Sequence, residues 1–212
     1  MPTDSYGGSC GLTNLDYVNN CNYNGAYEAL NFIHGNLQKP SSSASLTGQV
    51  ILWLALTFTF SHTYLVYLSR LWISVYEFSH SFLFVLCTQL TLFDQSEYFG
   101  GSAASTYAMD TAGYVYVPSS CQAGAKCKLH IVFHGCLQGR EKVGDRFAKN
   151  GGYNQVADLN DFIVLYPQAK SNMSNPNGCW DWWGFTGTNY ANKNGSQMVA
   201  IERMMLRTLG EY

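Results

Sequence analysis

The sequence predicts an α/β fold, mainly parallel in its C-terminal half, on three observations. Two short apolar runs, residues 129–133 (LHIVF) and 162–166 (FIVLY), have the length and composition of strands buried on both faces. Helical patterns alternate with them. The first run ends directly in His134-Gly135-Cys136, and the end of a strand is where α/β enzymes turn backbone N–H groups toward a substrate.

Taken in order, residues 1–25 read as a Gly/Asn-rich loop. Asn24 is placed to cap a helix over 26–37, with Ala26, Leu30, Ile33 and Leu37 on one face. Residues 38–48 form a Pro/Ser linker. Residues 90–93 (LTLF) read as a short strand, and 113–118 (GYVYVP) as a strand stopped by proline. A helix covers part of 143–158 and breaks near Gly151-Gly152. The last helix spans 195–209, with Met198, Ile201 and Met205 facing inward.

Residues 50–89 break this organisation. They hold two charges, Arg70 and Glu77, in 40 residues, and show neither helical nor strand periodicity. Their length suffices for a membrane hairpin. However, the two spans carry His62, His80 and many Ser and Thr, with Arg70 alone between them. A buried apolar insertion of this length sits poorly inside a domain. The favoured reading is a translated intron. Valine codons begin with GT, a glutamine codon can end in AG, and FSHSFLFVLCTQ is what a pyrimidine-rich tract would encode. Domain organisation is therefore read as 1–49 plus 90–212, interrupted by an apolar insertion at 50–89.

At 212 residues the chain has ample length for a core. Net charge is −2 without a basic run, so nucleic-acid binding has no electrostatic footprint. Of seven cysteines, Cys10/Cys21 and Cys121/Cys127 form short-range couples, Cys136 and Cys179 sit beside the two most informative segments, and Cys87 is left over. Pairing implies an oxidising, secretory setting. The competing reading, free or metal-binding thiols, finds no CxxC or Cys/His cluster at zinc spacing, so neither metal nor cofactor is expected. Sequons at Asn172 and Asn194 fit secretion. The opening MPTDSYGG has no signal-peptide character, which reads as a missing start.

Two segments carry chemistry. In acyl-transfer enzymes a His-Gly loop after a strand often supplies an oxyanion N–H, here that of Cys136. His134 itself reads as an orienting or packing residue. The second segment, residues 175–184 (NPNGCWDWWG), holds Trp180, Trp182 and Trp183 within four residues, so at least one must be exposed and can meet an apolar substrate. Asp181 reads as a partner for an indole N–H, or less well as an acid. The one G-x-S-x-G, at residues 7–11, lacks the preceding strand that a nucleophile elbow needs, which argues against Ser9.

LHIVFHGCLQG, GDRFAKNGGYNQVAD, FIVLYPQA and NPNGCWDWWG, in this order, resemble the extracellular poly(3-hydroxybutyrate) depolymerases of the single-domain, circularly permuted type; NCNYNGAYEALNFIHG and MDTAGYVYVPSSC match as well. The resemblance covers almost all of 1–49 and 90–212 and none of 50–89, where the family joins a strand directly. It implies an incomplete α/β-hydrolase fold and a serine esterase cleaving polyester or short-chain esters by Ser-His-Asp acyl transfer. The family's triad lies in the N-terminal half, and Met1-Pro2-Thr3-Asp4 is similar to the tail of its histidine sequence, so all three triad residues are expected upstream of Met1. The resemblance further implies that Cys136 gives the second oxyanion N–H while its sulfur pairs with Cys179, that Cys10–Cys21 and Cys121–Cys127 are disulfides, and that Trp182 lines the substrate crevice; Trp180 and His134 are the further substrate-binding candidates of the two segments. The loop between Ala169 and Asn175 is shorter than the family's.

The expectation is thus a C-terminal fragment of a secreted ester hydrolase, inactive by itself. The alternative is a membrane-tethered, non-catalytic pseudoenzyme that binds hydrophobic polyester, for which 50–89 must be genuine. Oligomeric state is not read from the sequence.

Overall fold

The computed structural model describes residues 1–14, 17–42, 46, 90–122 and 125–210. The apolar segment 50–89, with Cys87 and every reading placed on it, lies outside them. Three two-residue strands, β1 (Pro2–Thr3), β2 (Gly8–Ser9) and β3 (Asn19–Asn20), form a small parallel sheet in the order β1-β3-β2. Helix α1 (Gly25–His34) starts where predicted: the Asn24 side chain accepts from the Tyr27 N–H, satisfying a donor the first turn leaves open. The helix stops three residues short of the predicted end. Gly35 takes φ +70° and its N–H returns to the Asn31 carbonyl.

Strands β4 (Thr91–Asp94), β5 (Ala112–Tyr116) and β6 (Lys128–Ile131) follow. After β6 come helices α2 (Arg140–Val143), α3 (Arg146–Asn150) and α4 (Tyr153–Asn160), then strand β7 (Phe162–Tyr166) and helix α5 (Ser196–Leu209). The helical stretch breaks at Gly144 (φ +63°) as well as at the predicted Gly151-Gly152. The second sheet runs β4-β5-β7-β6. It is mixed, which corrects the expectation of a mainly parallel half: only β6 and β7 run parallel, while β4/β5 and β5/β7 are antiparallel. Strand β5 has the period-2 pattern that either pairing accepts, so its direction was not legible.

The alternation of β7 builds two cores. Phe162, Val164 and Tyr166 point to one face, where they join Tyr114, Tyr116, Phe147 and Ala157; Leu37, Leu46 and Leu90 pack against the same cluster. Leu165 points to the other face, with Met109, Ala200, Ile201 and Met204. Helices thus cover the sheet on both faces, and each fully buried aromatic or aliphatic side chain contributes about 1.5–3 kcal/mol. Polar ends of the core are satisfied: the Tyr166 hydroxyl donates to Asn154 Oδ1 (2.6 Å), and Asn154 Nδ2 donates to the Ala148 carbonyl (2.9 Å). Gln38, in the expected linker, is pinned to α4 by two hydrogen bonds with the Asn160 side chain.

Two helix faces differ from expectation. In α1, Ala26 and Leu30 are buried, but Ile33 is exposed, and His34 takes the inward place in the last turn, its ring 4.7 Å from Phe162 of β7. In α5 the inward stripe is Gln197, Ala200, Ile201 and Met204; Met198 is exposed and Met205 only half-buried. Gln197 takes the inward place because its Nε2 donates to the Tyr107 carbonyl and its Oε1 accepts from the Asp181 N–H.

Candidate functional site

The turn after β6 sits at the end of the parallel pair β6/β7. His134 is buried there. Its Nε2 lies 3.0 Å from the Ala169 N–H, which can only donate, so the ring carries its proton on Nδ1. Nδ1 in turn donates to the Gly135 carbonyl at 2.8 Å. Burial pushes the imidazole pKa down, outweighing the upward pull of the Gly135 hydrogen bond, so the ring is held neutral. With both nitrogens engaged and the ring 2% exposed, His134 supports the site from behind, in keeping with an orienting or packing role.

Gly139 allows this closeness, because a Cβ there would meet the Ala169 carbonyl at 2.7 Å and the His134 ring at 3.0 Å. A polar network unseen in the sequence fixes the turn's far side. Gln168 Oε1 accepts from the Arg140 N–H, the Arg140 guanidinium grips Asp110 through two hydrogen bonds (2.7 and 3.1 Å), and Gln95 links Asp110 and Gln168. Burial raises the Asp110 pKa, but the Arg140 hydrogen bonds and charge more than offset it and keep the carboxyl below its usual value.

Cys136 is disulfide-bonded to Cys179 across 43 residues of sequence. Cys10–Cys21 and Cys121–Cys127 are likewise bonded, so all three pairings occur as the sequence implied. The Cys136–Cys179 bridge ties the turn to the tryptophan loop. A hydrogen bond doubles the tie: Trp180 Nε1–H donates to the His134 carbonyl at 2.9 Å. Trp180 is half-buried, edge-on to Phe133 (5.0 Å) and tilted to His134 (5.4 Å). It is a post of the scaffold more than a free face. Trp182, 72% exposed, is the open aromatic, edge-on to Trp183 at 5.2 Å, and Trp183 stands 4.7 Å from Phe185.

Asp181 is neither an indole partner nor placed as an acid. Its carboxylate accepts from the N–H groups of Trp183, Gly184, Phe185 and Thr186 and from the Thr186 hydroxyl. Burial works against its charge; the Thr186, Gly184 and Phe185 hydrogen bonds prevail and hold its pKa down. Asn175 bonds the Cys179 N–H and carbonyl in the same way (2.9 and 2.7 Å). Asx-type loop closure of this kind gives no periodic signal, though Asp and Asn before glycines hint at it.

A concavity of about 540 Å³ opens at the turn, lined by Cys136, Gln138, Met1, Asn14 and Asn19 among others. A larger one of about 880 Å³, with Tyr6, Gly7 and Arg146, shares Thr13, Asn14 and Tyr17 with it. Ser9 lies in β2 rather than on a strand-to-helix turn. Among the described residues, no serine hydroxyl is hydrogen-bonded to His34, His130 or His134, no group of His, Cys, Asp and Glu could hold a metal ion, and no helix is long and apolar enough to cross a membrane. Of the sequons, Asn194 is exposed, whereas Asn172 Oδ1 closes its own turn onto Ser174 and Asn175.

The esterase PHB depolymerase family model matches residues 112–207. A polyhydroxybutyrate depolymerase of Talaromyces funiculosus is 37% identical over 216 residues, which take in 95% of this chain and 50% of the relative. A poly(3-hydroxybutyrate) depolymerase of Delftia acidovorans is 33% identical, over 98% of this chain and 33% of its own length. The crystal structure of PHB depolymerase from Penicillium funiculosum superposes with a TM-score of 0.71 at 34% identity, covering 100% of this chain and 57% of that one. A PHB depolymerase variant complexed with an R3HB trimer gives 0.72 at the same identity and coverage. The chain spans half or less of the length of these curated relatives.

Proposed function

We propose that this chain, as a member of the PHB depolymerase family, forms the aromatic wall and one oxyanion donor of an extracellular ester hydrolase acting on poly(3-hydroxybutyrate) or related short-chain esters. Trp182 supplies the exposed apolar face against the polymer, and the Cys136 N–H supplies the donor to the developing alkoxide. The observation carrying this reading is the double tie between the two: the Cys136–Cys179 bridge and the Trp180–His134 hydrogen bond hold turn and tryptophan loop in one body. Three disulfides support an oxidising, extracellular location. A donor and a wall bind and polarise an ester but do not attack it. The groups this reading assigns to the chain therefore supply binding and polarisation rather than attack.

Adsorption to a poly(3-hydroxybutyrate) film tests this. The purified chain adsorbs, Trp182→Ala does not, and the Tm of the variant stays within about 2 °C, since an exposed substitution shifts stability by about 0.5 kcal/mol or less. Equal adsorption of both proteins, or hydrolysis of p-nitrophenyl butyrate by the chain alone, overturns the reading.

A further inference from the structure

Two peptide groups flank Gly135, and three of their four polar ends are bound inside the fold: the His134 carbonyl by Trp180 Nε1–H, the Gly135 N–H by Gln138 Oε1, and the Gly135 carbonyl by His134 Nδ1–H at 2.8 Å and, more loosely, by the Gln138 N–H of the turn at 3.1 Å. The fourth end, the Cys136 N–H, has no hydrogen-bond partner among the described residues, and Cys136 lines the 540 Å³ concavity. The peptide is planar and trans, so its C=O and N–H point in opposite directions. Whatever grips the Gly135 oxygen therefore aims the Cys136 hydrogen.

We infer that His134 is a positioning residue for the Cys136 N–H, setting the plane of the Gly135–Cys136 peptide through the shorter of the two hydrogen bonds to the Gly135 oxygen, with the Gln138 N–H as the second hold. The inference rests on the reading of Cys136 as an oxyanion donor. The Ala169 N–H fixes the tautomer: it can only donate to Nε2, so the proton resides on Nδ1, where it is needed. Donation to the carbonyl also polarises the amide and strengthens its N–H as a donor. Gly135 holds the adjoining half of the turn without a side chain, because a Cβ there would meet Gln138 Oε1 at 2.7 Å. A donor locked before substrate arrives needs no reorganisation during reaction.

Two substitutions separate aiming from support. His134→Gln puts an oxygen near the Nε2 position, keeping the Ala169 bond, and has no donor at the Nδ1 position. His134→Asn puts an amide near the Nδ1 position, keeping the Gly135 bond, and gives up the Ala169 acceptor. NMR of the isotope-labelled 212-residue chain reads the outcome, with the (R)-3-hydroxybutyrate ion as probe. The wild type shows through-hydrogen-bond coupling between His134 Nδ1 and the Gly135 carbonyl carbon, and the ion shifts the Cys136 amide. In H134Q the Gly135 carbonyl and Cys136 amide signals move, and affinity for the ion falls by roughly tenfold, the upper end for one hydrogen bond. H134N retains both signals and keeps affinity within about twofold. Absence of the coupling, or unmoved signals in H134Q, overturns the inference. If H134Q does not fold, the wild-type coupling and the H134N shifts decide. Coupling present with a Cys136 amide indifferent to the ion would instead remove the oxyanion reading, and the positioning role with it; the coupling does not involve the ion, so the two failures are distinguishable.

Discussion

Replacing Asp181 by asparagine tests how the exposed tryptophan is held in place. The carboxylate divides its work: Oδ1 takes the N–H groups of Trp183, Gly184 and Phe185, and Oδ2 takes the N–H and hydroxyl of Thr186. Asparagine keeps one oxygen and sets an NH2 against the other pair, so the Thr186 N–H loses its acceptor, the Thr186 hydroxyl must turn from donor to acceptor, and charge assistance goes from the remaining three. A hydrogen bond to a charged group contributes about 1.5–3 kcal/mol when shielded. Asp181 and Thr186 are half-exposed, water replaces part of what is lost, and the net cost is about 1–2 kcal/mol. That corresponds to a factor of roughly 5–30 in the local opening equilibrium. Amide hydrogen exchange at residues 183–186 should accelerate by this factor in D181N while the β7 amides are unchanged. The exciton signal of the paired Trp182 and Trp183 indoles in circular dichroism should weaken in parallel. The pH dependence has a definite sign. The folded pKa lies below the unfolded value of about 3.9, so the carboxylate's contribution is present above that value and fades as pH falls through the folded one. D181N abolishes that acid transition. Exchange rates at 183–186 equal to wild type would refute the idea that Asp181 shapes the loop.

Removing the bridge with Cys136→Ala and Cys179→Ala opens a 43-residue loop in the unfolded chain and lowers stability by about 4 kcal/mol, read by urea unfolding; an unchanged midpoint would contradict it. Tyr166→Phe leaves Asn154 Oδ1 buried without its donor and costs about 1–3 kcal/mol in the same assay, whereas a cost near zero would mean water enters the core there.

Much of this body was readable in the residues. The strands at 129–133 and 162–166, the Asn24 cap and the exposure of at least one tryptophan followed from local pattern and spacing, whereas the full disulfide pairing was implied by the family resemblance. What escaped has physical reasons. Strand direction in β5 depends on connections that periodicity does not encode. Helical phase in α5 was misjudged because Met198 is apolar yet exposed, while Gln197 is polar yet buried with two hydrogen bonds. The Gln95–Asp110–Arg140–Gln168 network joins residues up to 73 apart, and no single segment carries its signal. Asp181 and His134 were seen as notable side chains, but their partners are backbone groups, which every residue has.

Leu46 and Leu90 both settle on the cluster built by Phe162, Tyr116 and Phe147. The two points where the chain leaves and rejoins the described body are thus anchored by the same apolar floor. Closure entropy grows only with the logarithm of length, so bridging them with some forty residues instead of a few costs on the order of 2–3 kcal/mol. Chain length between Leu46 and Leu90 is therefore exchanged against a bounded part of the stability of the described body, and β4, which begins at Thr91, keeps its register with β5 whatever that length is.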